Sequence, residues 1–198
     1  VETTARLGGQ LGEEFADGGV HPRFGTRNMV LPLADQRYLE VVTVLDHPAA
    51  DKMPFGQEVR ARSLMGGGWL GWVVAVDDIA TMEDQLGRAA VHGNRHRPDG
   101  VDLRWKQLNI LGSPETQQFP CVVQWEVEPG QHPSASASGQ LRLEAVEIAG
   151  DPAQLTEWLG EPAVAALEQV SVQWVAPKAA PALVAAHFST PHGHVRLI

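Results

Sequence analysis

The chain has 198 residues, a formal charge of −9 at neutral pH and a sequence pI of about 5.3. Its one basic cluster, Arg95 to Arg97, is short and interrupted by His96, so the chain lacks the clustered Lys and Arg that phosphate neutralisation needs and no nucleic-acid partner is expected. The lone Cys121 excludes an intrachain disulfide and a CxxC metal or redox site, no stretch approaches the roughly 20 apolar residues of a membrane helix, and no basic-then-apolar leader is present; a cytoplasmic protein with no membrane partner is expected.

Residues 3–12 put Thr4, Leu7 and Leu11 on one helical face and stop at Gly12. A Gly-rich turn follows, then two strands, Met29 to Leu33 and Arg37 to Val44, joined by Ala34-Asp35-Gln36 as a hairpin. Residues 45–57, with Pro48, Pro54 and Gly56, read as a connection, and Gly66-Gly67-Gly68 as a hinge into a buried strand, Leu70 to Val76. A second helix spans 78–87, with Asp78 as N-cap, Ile79, Met82 and Leu86 on one face and Gly87 at its end. After a further turn come strands at Val101 to Ile110 and Val122 to Val127, separated by a loop rich in Gly, Ser, Pro and Gln. Residues 128–139 read as a linker, Leu141 to Ile148 as a strand, Asp151 to Gly160 as a short helix, and Val170 to Val175, Leu183 to Ser189 and His194 to Ile198 as strands.

Shifting the chain by 75 residues superposes Gln10-Leu11-Gly12 on Gln85-Leu86-Gly87, Gly18 on Gly93, His21 on His96 and Gly25 on Gly100. Nine of the 33 positions in 1–33 match 76–108, where unrelated chains would share about two, so the first module is a copy of the second. Each full module reads as βαβββ, and the first copy's opening strand would lie before Val1. The expected fold is therefore α+β, with module one at 1–65, module two at 66–127, the linker at 128–139 and a third, weaker βαβββ-like module at 140–198.

Four stretches carry a family resemblance: HPRFGTRNMVLPLADQRYLEVV at 21–42, VVAVDDIATMEDQLG at 73–87, RPDGVDLRWKQL at 97–108, and FPCVVQWE at 119–126 leading to His132-Pro133. Together they resemble the glyoxalase-like domain family of the vicinal oxygen chelate superfamily. The resemblance implies paired βαβββ modules whose mixed sheet curls around a cleft. It also implies a small organic ligand and a homodimer. Its well-characterised enzymes hold one divalent metal with a His near the start of each module's first strand and a Glu on each last strand. Such a set binds a borderline cation and leaves room for a bidentate substrate.

Carried over residue by residue, that pattern is filled poorly. Glu40 matches the first glutamate and alternates with apolar neighbours, so its carboxylate should point into the cleft, held by a partner such as Arg27 or Asn28 or by metal or substrate. Gln124 takes the second glutamate position once nine extra residues are placed in the loop, and an amide is a weak ligand. Gly71 takes the second histidine position and cannot ligate through a side chain, and the first would lie before Val1. No cofactor is expected, and Glu40 and Gln124 are the candidate ligands if a divalent metal binds. His21 either caps its turn, as its copy His96 would, or touches substrate. Asn28, Trp72 and Trp105 complete the candidate substrate-binding set, Trp105 sharing a strand face with Gln107. His187, His192 and His194 show no ligand pattern with a carboxylate, and no GxSxG, P-loop or GxGxxG occurs.

The resulting expectation is a protein that binds a small organic molecule between its first two modules. If it is an enzyme, a lyase or isomerase with Glu40 as general base fits best. The alternatives are a metal-free sequestration protein of the drug-resistance type and a structural or interaction module whose cleft is filled by Trp69 and Trp72.

Overall fold

In a computed structural model, which describes residues 2–109, 119–165, 167, 170–175 and 181–198 except the side chains of 161–165, the chain forms two sheets with helices between them. Helix α1 (Glu2–Leu11) buries Leu11 completely and stops at Gly12, whose φ of +77° is the left-handed conformation glycine adopts without strain. The expected Gly-rich turn contains a strand, β1 (Ala16–His21), that pairs antiparallel with β2 (Thr26–Leu33). Its glycines hide it in sequence because they remove the apolar alternation that marks a strand. A Cβ on Gly18 would lie 2.3 Å from Asn28 Oδ1, and one on Gly19 would lie 2.1 Å from the His96 carbonyl oxygen. The glycines are there for close packing. Strand β3 (Arg37–Val44) closes the expected hairpin, whose tip docks onto a later segment through Ala34 N donating to Leu141 O.

Two helices, α2 (Pro48–Lys52) and α3 (Pro54–Leu64), occupy what the prolines suggested was a bare connection. Each proline sits in the first helical turn, where its missing N–H costs nothing, and His47 Nδ1 accepts from Ala49 N to cap α2. Module two follows as β4 (Val73–Ala75), α4 (Ala80–Leu86), β5 (Val91–His96), β6 (Asp102–Leu108) and β7 (Cys121–Trp125). Gly87 ends α4 at φ +60°, as expected, whereas the N-cap is Ile79 and the expected Asp78 lies one residue earlier, its Oδ1 accepting from Ala80 N. Like β1, β5 lies in a stretch that read as a turn. Ile110 and the loop at 111–118 fall outside the described residues.

The seven strands order as β3-β2-β1-β5-β6-β7-β4, so the two modules meet where Val20 of β1 pairs with His96 of β5. This curled sheet is the paired-module architecture that the repeat predicted. The third segment gives β8 (Arg142–Ala149), α5 (Pro152–Ala165, interrupted at Gly160), β9 (Ser171–Trp174), β10 (Ala182–Thr190) and β11 (Gly193–Leu197). Its element order is βαβββ, but its wiring differs. The sheet runs β11-β10-β8-β9 with β8 parallel to β9, whereas module two pairs its first strand with its last, β4 with β7.

The main core lies between the two sheets. Leu31, Leu33 and Leu39 from the seven-stranded sheet, Leu11, Met82 and Leu155 from the helices, and Val146, Ile148, Phe188 and Leu197 from the four-stranded sheet are all buried there. That leaves the opposite, inner face of the larger sheet free to carry polar groups. No helix among the described residues is long and apolar enough to cross a membrane.

Candidate functional site

Strand alternation selects what reaches the inner face. In β2, Leu31 and Leu33 face the core, so Thr26, Asn28 and Val30 face inward. Glu40 pairs across from Val30, and Tyr38 from Pro32, which puts both on the same side. From module two, β5 supplies Gly93 and Arg95, β6 supplies Leu103, Trp105 and Gln107, and β7 supplies Val123 and Trp125, the last opposite Trp105. The repeated glycines make this floor possible. A Cβ on Gly93 would lie 2.3 Å from the Trp105 indole, just as one on Gly18 would strike Asn28.

Glu40 is the polar centre. Its Oε1 accepts from Asn28 Nδ2 at 2.5 Å and from Arg95 Nη1 at 2.8 Å. Arg95 keeps only 3 % of its side chain exposed, against 29 % for Glu40, so the guanidinium lies beneath the carboxylate. Burial pushes the Glu40 pKa up, and Arg95 and Asn28 pull against that rise. The second carboxylate oxygen takes no hydrogen bond from the described residues and is not sealed off. By contrast Asn28 Oδ1, Arg95 Nε and Gln107 Nε2 are buried without partners.

Around this centre the floor is closed and the wall is aromatic. Trp105 donates from Nε1 to Gln107 Oε1 at 2.7 Å and meets His21 edge-on. His21 is buried against Thr26 Oγ1 at 3.1 Å, and burial, aided by the Arg95 charge, lowers its pKa to about 4. It is a neutral imidazole at pH 7. Tyr38, Trp125 and His132 form the wall, with ring centroids 5.2–6.2 Å apart. An open cleft of about 1660 Å³ runs from this wall around the edge of β3 to residues 69–77.

Four of the six expected site residues therefore come together: Glu40, Asn28, His21 and Trp105. Trp72 does not join them. Its neighbours Val73 and Ala75 pair with the inward Cys121 and Val123, so Trp72, one position out of phase, packs with Trp69 against the main core. Gln124 is also on the wrong face. It pairs with Lys106, and its Oε1 accepts from Ile79 N at 3.1 Å at the entrance to α4. Val30 pairs with Glu40, and the repeat copy of Val30, Trp105, pairs with Trp125. Trp125 thus holds the place equivalent to Glu40. The sequence alignment was one residue out, and in a strand one residue reverses the face. Of the proposed partners for Glu40, Asn28 is one, whereas Arg27 pairs with Asp17 instead.

Arg95, Tyr38, Trp125 and His132 were missed as site residues. The alternation Gly93-Asn94-Arg95 was the available signal for Arg95, masked because the segment read as a turn. His132 sits in the presumed linker, where a 3-10 turn at Pro129–Gln131 brings it to the wall. His21 and His96 do share a role, since each bridges its own hairpin, but through side chains: His96 Nδ1 lies 2.8 Å from Asp102 Oδ1.

The sequence pattern of the glyoxalase-like domain matches residues 1–163. The chain belongs to that family. This glyoxalase-like chain also resembles in fold a solved structure described as a hypothetical protein from Staphylococcus aureus, at 13 % identity and TM-score 0.57, covering 92 % of this chain and 75 % of the other. No curated protein matches it in sequence.

The metal site that the family implies does not fit these residues. Glu40 and Gln124 lie on opposite faces of the sheet, Trp125 stands where a second carboxylate would be needed, and Arg95 already supplies the positive charge at Glu40. Among the described residues no three His, Cys, Asp or Glu side chains are grouped to hold an ion.

Proposed function

We propose that this glyoxalase-like protein binds a small organic molecule against the inner face of its seven-stranded sheet and acts on it as an isomerase or lyase, with Glu40 as general base. One observation carries the reading: Glu40 is fixed through Oε1 by Asn28 and Arg95, while its other oxygen stays open beside the Tyr38, Trp125 and His132 wall. A base must be held still and yet keep a lone pair for the substrate proton. The raised pKa of Glu40 supports the same role, because a stronger base takes the proton more readily. His21 and Asn28 position the floor, and Trp105 is the flat surface beneath.

The reading is metal-free, supported by the donor set described above. A purified protein that keeps one equivalent of divalent metal, and loses heat stability when a chelator removes it, would end that part. The ligand claim is tested by thermal shift and tryptophan fluorescence with a panel of aldehydes, hydroxy acids, ketones and aromatic drugs. Stabilisation by at least one class, abolished or altered in Glu40→Gln, is the expected result. No shift with any class sinks it. Sequestration without turnover is the second reading, favoured by the Arg95 ion pair, which weakens Glu40 as a base. A cytoplasmic homodimer completes the proposal, the lone Cys121 supporting a reducing compartment. Light scattering that gives a monomer mass would remove the dimer.

A further inference from the structure

His132 lines the same cleft as Glu40, and its ring tautomer is fixed by its neighbours. Ser134 donates its backbone N–H to His132 Nδ1 at 3.2 Å, and Ser134 Oγ lies 2.7 Å from the same nitrogen. A backbone amide can only donate, so Nδ1 must carry the lone pair and the ring proton must sit on Nε2. That Nε2–H has no partner among the described residues and is not sealed off. Tyr38 Oη and Trp125 Nε1, in the rings that touch His132, are likewise unpartnered and accessible. Among the described residues the cleft therefore offers one open anionic acceptor, the second oxygen of Glu40, and several neutral donors. Burial and the charge of Arg95 lower the His132 pKa, which keeps the ring neutral.

Charge narrows the ligand further. Among the described residues the strands put one cation on the inner face, Arg95, and it is 3 % exposed and spent on Glu40. With no free cation beside the acceptor, a carboxylate or phosphate would meet repulsion from Glu40, and a neutral planar molecule suits the aromatic wall.

We propose, resting on the reading that the cleft binds a small molecule, that Glu40 and His132 act as a base and electrophile couple on small neutral ketones with an acidic C–H beside the carbonyl. The open Glu40 oxygen takes the α-proton. The C–H electron pair becomes the carbon–carbon π bond, and the carbonyl π pair moves onto oxygen, where the Nε2–H of His132 donates a hydrogen bond to the enolate. Return of the proton from the Glu40 carboxyl to the same or a conjugated carbon restores both residues and leaves an isomer. No oxidant or co-reactant is needed. His132 donates here as a neutral imidazole, the role a charged or metal electrophile would otherwise fill.

Phenol, an enolate mimic, and toluene, its apolar counterpart, separate the parts of this claim. Tryptophan quenching should show phenol binding at least about tenfold more tightly than toluene, with the ratio collapsing in His132→Phe. Ser134→Ala, which keeps the backbone amide that fixes the tautomer, should preserve most of the ratio, and a collapse in it equal to that in His132→Phe would overturn the amide-fixed tautomer. Deuterium uptake at the α-carbons of cyclohexanone, followed by NMR, should fall to the uncatalysed rate in Glu40→Gln and drop markedly in His132→Phe. Equal binding of phenol and toluene, or a ratio unchanged in His132→Phe, overturns the electrophile while leaving the ligand-binding cleft standing. If neither probe nor any member of the wider panel binds, the proposed function fails with it.

Discussion

Two strand-borne glutamates, each gripped by an arginine, stand on the faces of the two sheets that are turned away from the core between them. Glu147 of β8 spends both oxygens. Its Oε1 accepts from His187 Nε2 and from Arg196 Nε, each at 2.6 Å, and its Oε2 accepts from Arg196 Nη2 at 2.7 Å. The hydrogen bonds from Arg196, helped by His187, pull its pKa down to about 2. The tail histidines, which show no ligand pattern in the sequence, meet this carboxylate in the fold: His187 binds Glu147, and His194 Nε2 lies 2.9 Å from His187 Nδ1. Glu40 of β3 spends one oxygen, and burial drives its pKa the other way. A carboxylate with both oxygens engaged clasps β8 to β10 and β11, and one with a single oxygen engaged has capacity to react.

Breaking each ion pair is the strongest way to test that contrast. Arg95→Leu leaves the half-buried Glu40 charged with only Asn28 to hold it, and should cost about 3 kcal/mol in urea unfolding at pH 7. The deficit should shrink on acidification, because a glutamate whose folded pKa is raised is stabilising when protonated and loses that contribution as pH rises through the folded value. A deficit independent of pH would show that Arg95 acts by packing alone. Glu147→Gln should cost less, about 2 kcal/mol at pH 7, since Arg196 is 42 % exposed and solvent screens the pair. Here the sign is opposite. The depressed pKa gives stability above pH 4.5 that is lost as pH falls toward 2, so wild type and variant should converge in acid.

The floor beneath Glu40 should respond by a steric route. Gly93→Ala places a methyl 2.3 Å from an indole that Gln107 holds by hydrogen bond, and about 1–3 kcal/mol of destabilisation is expected by thermal unfolding. Gly130→Ala, with nothing within 4 Å, serves as the control and should be neutral. Equal melting temperatures for the two would mean that Trp105 moves aside freely, and the floor would not be rigid.

The parts of the molecule legible in sequence were those whose signal is periodic. Leu11, Met82 and the Gly12 and Gly87 stops announce their helices, and the 75-residue repeat gives the paired modules before any coordinate is known. Strands β1 and β5 were lost because their glycines serve close packing, which looks like a turn in one dimension. Glu40, Asn28 and Trp105 were found by alternation along their own strands. Gln124 was lost because its face depends on the true length of the 109–120 loop, a quantity set by pairing with β6 and not by local residues. Arg95 and His132 reach Glu40 and its wall from elements 55 and 92 residues away (95 − 40 and 132 − 40), and no local pattern encodes such a meeting.

The smallest effect expected is also the one that separates the two sheets by pH. His21 is buried beside Thr26 with its pKa lowered to about 4 from the ordinary 6.5, chiefly by desolvation and secondly by Arg95. A histidine held neutral in the fold contributes stability that is present above pH 6.5 and is lost as pH falls through 6.5 toward 4, because the unfolded chain takes up the proton first. Between pH 7.5 and 5.5 wild type should therefore lose about 1 kcal/mol, while Glu147, whose window begins near pH 4.5, contributes nothing to the change. His21→Gln, which retains a group able to bond Thr26 Oγ1 but has no proton to gain, should flatten that slope to the part contributed by His132, whose pKa burial also lowers, and leave the loss below pH 4.5 intact. If the variant keeps the wild-type slope between pH 7.5 and 5.5, the proton is taken up elsewhere, and His21 is not the acid-sensitive element of the floor under Glu40.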